Sequence, residues 1–216
     1  MSKDWTGNSK TTFVTLGASN HSDHERANHD YYATDPKAID ELFKVEQFRG
    51  TIWEPACGEG HLSKRMIELG KEVYSSDLID RNYGVGNFDF LKADKPMGDN
   101  IITNPPYKYR EEFVRKSLEL VSAGGKVAMF LKLTFLESEG RISLFEKYPP
   151  NRIWVFSKRV TCGINGDFAQ KDKNGNTVYD KQGNPKMMSS ATCYGWFIWD
   201  TQCPVNNPVV GWINKE

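Results

Sequence analysis

The sequence has 216 residues, with 38% apolar and 12% aromatic side chains, so it has the length of one domain and enough apolar material for a packed core. Its 28 basic and 28 acidic side chains cancel, which excludes a binder that depends on bulk positive charge. The cancellation is uneven. Residues 1–108 carry 13 Lys+Arg against 17 Asp+Glu and residues 109–216 carry 15 against 11, so the second half permits local contact with phosphates.

No stretch approaches the roughly 18 apolar residues of a membrane span, and the first residues are polar. The expectation is therefore no membrane association, no signal peptide and a cytoplasmic location. Four cysteines, Cys57, Cys162, Cys193 and Cys203, lack pair spacing. They read as reduced thiols rather than a disulfide framework or a zinc site.

In chain order, residues 1–29 read as a polar arm or lid with a short β-like run at 12–16. His21, His24 and His29 lie close together there, at a spacing that matches no compact metal site. No metal is expected. Asp35-Pro36 starts a helix to about residue 45, with a capping carboxylate followed by proline at the first helical position. Residues 51–53 form a short buried strand. Glu54-Pro55-Ala56-Cys57-Gly58-Glu59-Gly60 is a turn, and residues 61–69 a helix closed by Gly70. A strand over 72–76 ends at Asp77. Residues 100–103 form a buried strand that stops at Asn104-Pro105-Pro106-Tyr107. Then follow a helix over 109–121, a strand over 126–133, a helix over 137–148, and strands over 152–156 and 191–199. This alternation predicts a mostly parallel sheet with helices on both faces. Only a loop joins the last two strands, so they are expected to be antiparallel.

That loop, 163–190, is polar and holds a near-repeat, Asp172-Lys-Asn-Gly-Asn176 then Asp180-Lys-Gln-Gly-Asn184. Asn174-Gly175 is a hairpin signal, and 177–179 could be a small strand. With Lys171, Lys173, Lys181 and Lys186 it is either a solvated hairpin or a small recognition element.

Two patterns carry chemistry. A Pro-enforced turn at the end of a buried strand puts an amide, a carbonyl and an aromatic ring where α/β sheets bind ligands. The Asn104 oxygen and the Pro105 carbonyl can accept hydrogen bonds from one amino group, and the Tyr107 ring can stack on the flat ring that carries it. The Gly58–Gly60 turn lets a ligand approach a helix amino terminus. It lacks the phosphate-binding glycine pattern and the lysine of nucleotide-hydrolysing loops. Glu54 and Glu59 disfavour phosphate and suit a cationic, amino-bearing ligand. Asp77 suits two ribose hydroxyls, and Asp89 with Phe90 suits an adenine. S-adenosylmethionine has these properties: ribose, adenine, positive charge and no phosphate.

The series Glu54–Gly60, Asp77, Asp89-Phe90 and Asn104-Pro-Pro-Tyr107 resembles the amino-group DNA methyltransferases of adenine type. Tyr31-Tyr32-Ala33-Thr34-Asp35-Pro36 resembles that family's additional cofactor motif, and the small size and polar arm resemble phage and prophage members. The resemblance covers about residues 28–160 well. It implies an α/β, Rossmann-like class I methyltransferase domain over 30–216, with a mostly parallel seven-stranded sheet and an antiparallel last hairpin. It further implies that Thr34, Glu54, Pro55, Ala56, Cys57, Gly58 and Gly60 hold the methionine part of S-adenosylmethionine, Asp77 the ribose, and Asp89 and Phe90 the adenine, with Tyr32 and Asn104 also at the cofactor. Asn104, Pro105, Pro106 and Tyr107 would be catalytic. Tyr107, and Phe168 from the 163–190 loop, would stack on the flipped base. DNA is the implied partner, with specificity coming from the loop, the arm or a further protein. The same motif occurs in enzymes that methylate RNA bases or a protein glutamine, and a silent cofactor-binding subunit is the alternative of another class.

Overall fold

The computed structural model describes residues 32–164, 168–172, 174–186 and 192–214. The arm at 1–29, its β-like run and its three histidines lie outside the described residues, as do Tyr31 and Lys173. The elements in chain order are β1 (Tyr32–Thr34), α1 (Lys37–Val45), β2 (Ile52–Glu54), α2 (His61–Glu68), β3 (Val73–Ser75), β4 (Asn100–Thr103), α3 (Arg110–Leu120), β5 (Lys126–Lys132), α4 (Ile142–Lys147), β6 (Arg152–Phe156), β7 (Cys162–Ile164), β8 (Tyr194–Asp200) and β9 (Val209–Ile213). The local signals act as expected at α1. Asp35 Oδ1 accepts the Lys37 N–H at 3.0 Å, and Pro36 opens the helix without needing a donor. Ala38, Ile39 and Leu42 form its buried face.

Seven strands make the main sheet, in the order β3-β2-β4-β5-β8-β6-β9. The pairs β2–β3, β2–β4 and β4–β5 are parallel. β8 runs antiparallel to both β5 and β6. Alternation along the strands splits the core between the two faces. One layer joins Ile39 and Leu42 of α1 and Leu62 and Met66 of α2 to Ile102, Ala128, Phe130 and Trp196. The other joins Phe113 and Val114 of α3 and Leu144 of α4 to Trp53, Ile101, Met129 and Phe197. Full burial of each Val, Leu, Ile, Met or Phe in these layers contributes about 1.5–3 kcal/mol of hydrophobic stabilisation.

Three expectations need amendment. β9 pairs parallel with β6 at the sheet edge and has no counterpart among the strands read from the sequence. The last two strands read from the sequence, β6 and β8, are antiparallel as expected, but their connection is more than a loop, since it includes β7, which pairs with β1 outside the main sheet. The helix expected over 137–148 is reduced to α4, after single turns at Leu133–Leu136 and Glu139–Arg141. There the Arg141 guanidinium donates to the carbonyls of Phe135, Thr134 and Glu137, which holds the chain in a folded-back loop.

In the 163–190 segment, Asp172 Oδ1 accepts the N–H groups of Asn174 and Asn176, and Asp180 Oδ1 those of Gln182 and Asn184. The near-repeat thus forms two like turns, bridged at Lys171–Thr177 and Tyr179–Pro185. The expected small strand at 177–179 is reduced to these isolated bridges.

Glu46 ties α1 to the sheet. It is 5% exposed and accepts from Lys126 Nζ at 2.8 Å, Trp154 Nε1 at 2.9 Å and the Arg152 guanidinium. Burial raises its pKa, but the hydrogen bonds from Arg152, Lys126 and Trp154 outweigh this and hold it below the ordinary value. A carboxylate of this kind stabilises the fold above its unfolded-state pKa, and that contribution is lost as pH falls through the folded value. Glu46→Gln leaves Lys126 and Arg152 to share Asp200 as their remaining acidic partner and should destabilise the fold by up to about 3 kcal/mol at neutral pH. Chemical denaturation should show the gap from wild type narrowing as pH falls below the ordinary carboxylate range.

Candidate active site

The parallel strands β2, β3, β4 and β5 bring their carboxyl ends to one side of the sheet, where α/β folds bind ligands. A cavity of about 610 Å³ opens there. Of the residues singled out in the sequence, Thr34, Glu54, Pro55, Ala56, Cys57, Asp77, Asp89, Phe90, Asn104, Pro105, Pro106 and Tyr107 line it. Four others do not. Tyr32 lies in β1, opposite Ile164. Gly58 and Gly60 shape the turn, and Phe168 packs edge-on against the ring of His61, which is itself a wall residue, at 5.7 Å.

The turn is fixed from the neighbouring strand. Asp77 Oδ2 accepts the Gly58 N–H at 2.8 Å, and the Ser76 carbonyl accepts the Cys57 N–H at 3.0 Å. Gly60 has φ +80, and a Cβ there would meet the Tyr83 ring at 2.2 Å. Only glycine fits both the left-handed backbone and that close approach. Asp77 Oδ1 accepts from Ile79 N at 2.9 Å and from Arg81 Nη1 at 3.2 Å. Asp77 is thus the staple of the turn as well as a wall residue. Asp89 Oδ1 caps the next turn through the Leu91 N–H, and Phe90 is wedged between the rings of Trp53 and Phe113.

Glu54 is 2% exposed at the end of β2. Ser63 Oγ donates to it, and that hydroxyl also contacts Ser75 Oγ at 2.6 Å. Burial, with a smaller contribution from the Asp77 charge, pushes its pKa up to about 8. The Cys57 thiol is pushed up to about 12 by burial and then by Glu54 and Asp77, so it is no nucleophile. Burial holds His61 below the ordinary imidazole value.

At the other end of the cavity, Asn104 Nδ2 donates to Thr34 Oγ1 at 2.9 Å. That bond sets the amide plane and assigns the acceptor role to Oδ1. The Tyr107 and Tyr194 hydroxyls are 2.6 Å apart, and the Lys132 ammonium stands over the Tyr107 ring at 4.1 Å. The Cys162 thiol sits against Tyr194, Tyr107 and Thr34. Burial, followed by these neighbours, raises the Tyr107 pKa, so the phenol stays protonated.

Sequence reasoning did not assign Lys132, Cys162, Tyr194, His61 or Arg81 to this region. Lys132 carried a usable signal, because a cation ending a buried strand beside the Asn104 strand must emerge at the same edge. Cys162 and Tyr194 carried none; only the β1–β7 pairing and the register of β8 bring them here.

No protein-family model and no curated protein matches the chain. Solved structures do. A proposed class I S-adenosylmethionine-dependent methyltransferase from Listeria monocytogenes aligns over 95% of this chain and 72% of its own, with 12% identity and a TM-score of 0.51. The modification subunit of a proposed type I restriction enzyme from Vibrio vulnificus YJ016 aligns over 94% of this chain with 12% identity and a TM-score of 0.51; this chain spans 50% of its length. A proposed RNA methyltransferase from Pyrococcus horikoshii aligns over 89% and 98%, with 14% identity and a TM-score of 0.51. TehB from Haemophilus influenzae is likewise longer, and this chain spans 60% of it. These likenesses show the fold, the α/β Rossmann-like architecture of class I methyltransferases.

A buried acid whose folded pKa lies above its unfolded value binds its proton more tightly in the native state. The Glu54 contribution is therefore full below its ordinary value of 4.5 and declines as pH rises toward 8. One proton limits that decline to about 1.4 kcal/mol per pH unit. Glu54→Gln, the neutral isostere, should remove it. Thermal melts of both proteins across this range should diverge, with the variant the more stable at the alkaline end.

Proposed function

We propose that the protein transfers a methyl group from S-adenosylmethionine to the exocyclic amino group of adenine in DNA. The observation that carries this reading is that an amide oriented by Thr34 and the buried carboxylates Glu54 and Asp77 share one cavity.

The residues present fit the cofactor. Three acids, Glu54, Asp77 and Asp89, line the cavity, as a cationic adenosine compound without phosphate requires. The tight turn at Gly58–Gly60 lets the methionine portion approach the backbone. Asp77 already accepts three hydrogen bonds, the longest from Arg81 at 3.2 Å. A ribose hydroxyl would replace that one most readily. When bound, the cofactor supplies an electrophilic methyl group on a sulfonium.

The protein's share of the chemistry lies in positioning. The lone pair of the adenine amine is delocalised into the ring, so the amine is a poor nucleophile. Asn104 Oδ1 and the Pro105 carbonyl would accept its two hydrogens, favour a pyramidal nitrogen and increase its negative character. Tyr107 would hold the base by stacking after it leaves the duplex, a step that costs roughly a few kcal/mol. With Cys57, Cys162 and Tyr107 all held protonated, catalysis would rest on orientation and electrostatics rather than on a strong base.

Sequencing that detects methylated adenine should find new marks in DNA from cells expressing the protein, and none with Asn104→Ala. Methyl label appearing only in RNA or protein would overturn the DNA assignment. In purified protein, Asn104→Ala should lower the methylation rate by about 10²–10³-fold while leaving cofactor affinity within a few-fold. Asp77→Asn should act on the other half of the site. Calorimetry should show S-adenosylmethionine affinity reduced by about 10–100-fold, the value of a hydrogen bond to a charged group.

A further inference from the structure

Two guanidinium groups beside the Asn104–Tyr107 turn have no role in the reaction as described. Arg110 opens α3, and its Nη1 donates to the Tyr107 carbonyl at 2.7 Å. Arg141 donates from Nε and Nη2 to the loop carbonyls of Phe135, Thr134 and Glu137. Both stand over the same ring, Phe135, at 5.8 Å for Arg110 and 5.0 Å for Arg141. The two charges are close enough that Arg110, after burial, lowers the pKa of Arg141. Among the described residues neither is in an ion pair; the charges of Glu111 and Glu137 also reach Arg141, and Glu111 is held by Arg115 at 2.9 Å.

A loop staple needs one cation. Two on one ring repel each other, and an anion lying between them would relieve that repulsion. Each is also held by backbone carbonyls, so little side-chain freedom remains to be lost on binding, and Nη1 of Arg141 and Nη2 of Arg110 remain as donors. Fixed planar forks of this kind suit a phosphodiester. Lys108, which lines the cavity, and Lys132, above Tyr107, extend the positive rim.

We propose that Arg110 and Arg141, set by Phe135, form a phosphodiester clamp that holds the backbone of a polynucleotide beside the base presented to Asn104 and Tyr107. This rests on the reading of a polynucleotide substrate given above. The clamp explains how a chain with no net charge engages a polyanion through a local site. It also couples backbone binding to the reactive turn, because Arg110 holds both the phosphate and the Tyr107 carbonyl.

The test uses the full chain and a single-stranded oligothymidine carrying one adenine, with binding followed by fluorescence anisotropy at several salt concentrations. Arg110→Gln and Arg141→Gln should each weaken binding about tenfold at low salt and reduce the slope of log affinity against log salt by roughly 0.7. Lysine at either position should restore most of the slope. Because Arg141→Gln also disturbs the loop, a second arm leaves the protein intact. Neutral methylphosphonate linkages are placed one at a time around the adenine. One position should weaken the wild type about tenfold and cause no further loss in Arg110→Gln. Equal losses at every position, fully additive with both variants, would overturn the clamp while leaving the polynucleotide reading standing. A wild type that binds S-adenosylmethionine but no oligonucleotide would remove that reading, and the clamp with it.

Discussion

The hydrogen bond from Asn104 Nδ2 to Thr34 Oγ1 joins two sheets that share no strand. β1 and β7 pair only with each other, and Thr34 lies opposite Cys162 in that pairing. The ribbon is anchored on α1 through Asp35, which follows Thr34, caps the helix and donates its N–H to the Thr161 carbonyl. α1 packs its apolar face on the main sheet, so the hydrophobic layer sets the height at which Thr34 meets Asn104. The orientation of one amide is thereby coupled to the burial of Ile39 and Leu42. The Cys162, Tyr194 and Tyr107 contacts then accumulate around the same point. Thr34, Cys162 and Tyr194 come from three different strands, β1, β7 and β8, and together they restrict the turn more than the short Pro-Pro segment could restrict itself.

A second constraint operates at the opposite end of the cavity. Asp77 spends its carboxylate on the Gly58 and Ile79 N–H groups, and Glu54 lies buried close by with its pKa raised. Burial is the main cause of that rise, and the nearby Asp77 charge adds to it. With its pKa pushed up to about 8, Glu54 favours its protonated form at neutral pH. A cationic ligand would supply the charge that lets Glu54 ionise. This gives a physical reason for an acid in place of an amide at the end of β2. It also gives a reason for the absence of the glycine pattern that cradles phosphate, since phosphate would meet both acids.

Much of this was legible because the signals were local. Asp35-Pro36, the glycine turn before α2 and the Pro-Pro stop after β4 each act within a few residues, and the structure keeps all three. β9 was not legible because its pattern is that of an edge. Val209, Val210 and Trp212 are 64%, 46% and 56% exposed, so burial imposes no alternation, and pairing with β6 alone defines the strand. α4 was overestimated for another reason. The apolar spacing over 137–148 is real, but the Arg141 guanidinium takes the Glu137 carbonyl, which a helix over that range would have used, and ties it to the preceding turn through Thr134 and Phe135. Phe168 came within one ring of the cavity, through His61. An aromatic was expected in that loop, but its partner was not foreseeable.

The Tyr107 ring shows what local reading leaves out. An aromatic after Asn-Pro-Pro suggests a stacking platform with two usable faces and a wet hydroxyl. In the fold the hydroxyl is tied to Tyr194 and one face carries the Lys132 ammonium, so under the proposed function a base would have the other face alone. A cation on one side of an aromatic ring draws π-density toward itself. The opposite face is then better suited to an electron-rich purine than to a second cation. Selectivity for a neutral, amino-bearing ring would thus be reinforced by a residue that never touches it. β5 supplies that residue because its carboxyl end emerges beside that of β4. The parallel sheet determines which side chains meet at the turn, and the tetrapeptide acquires a single working face only in that setting.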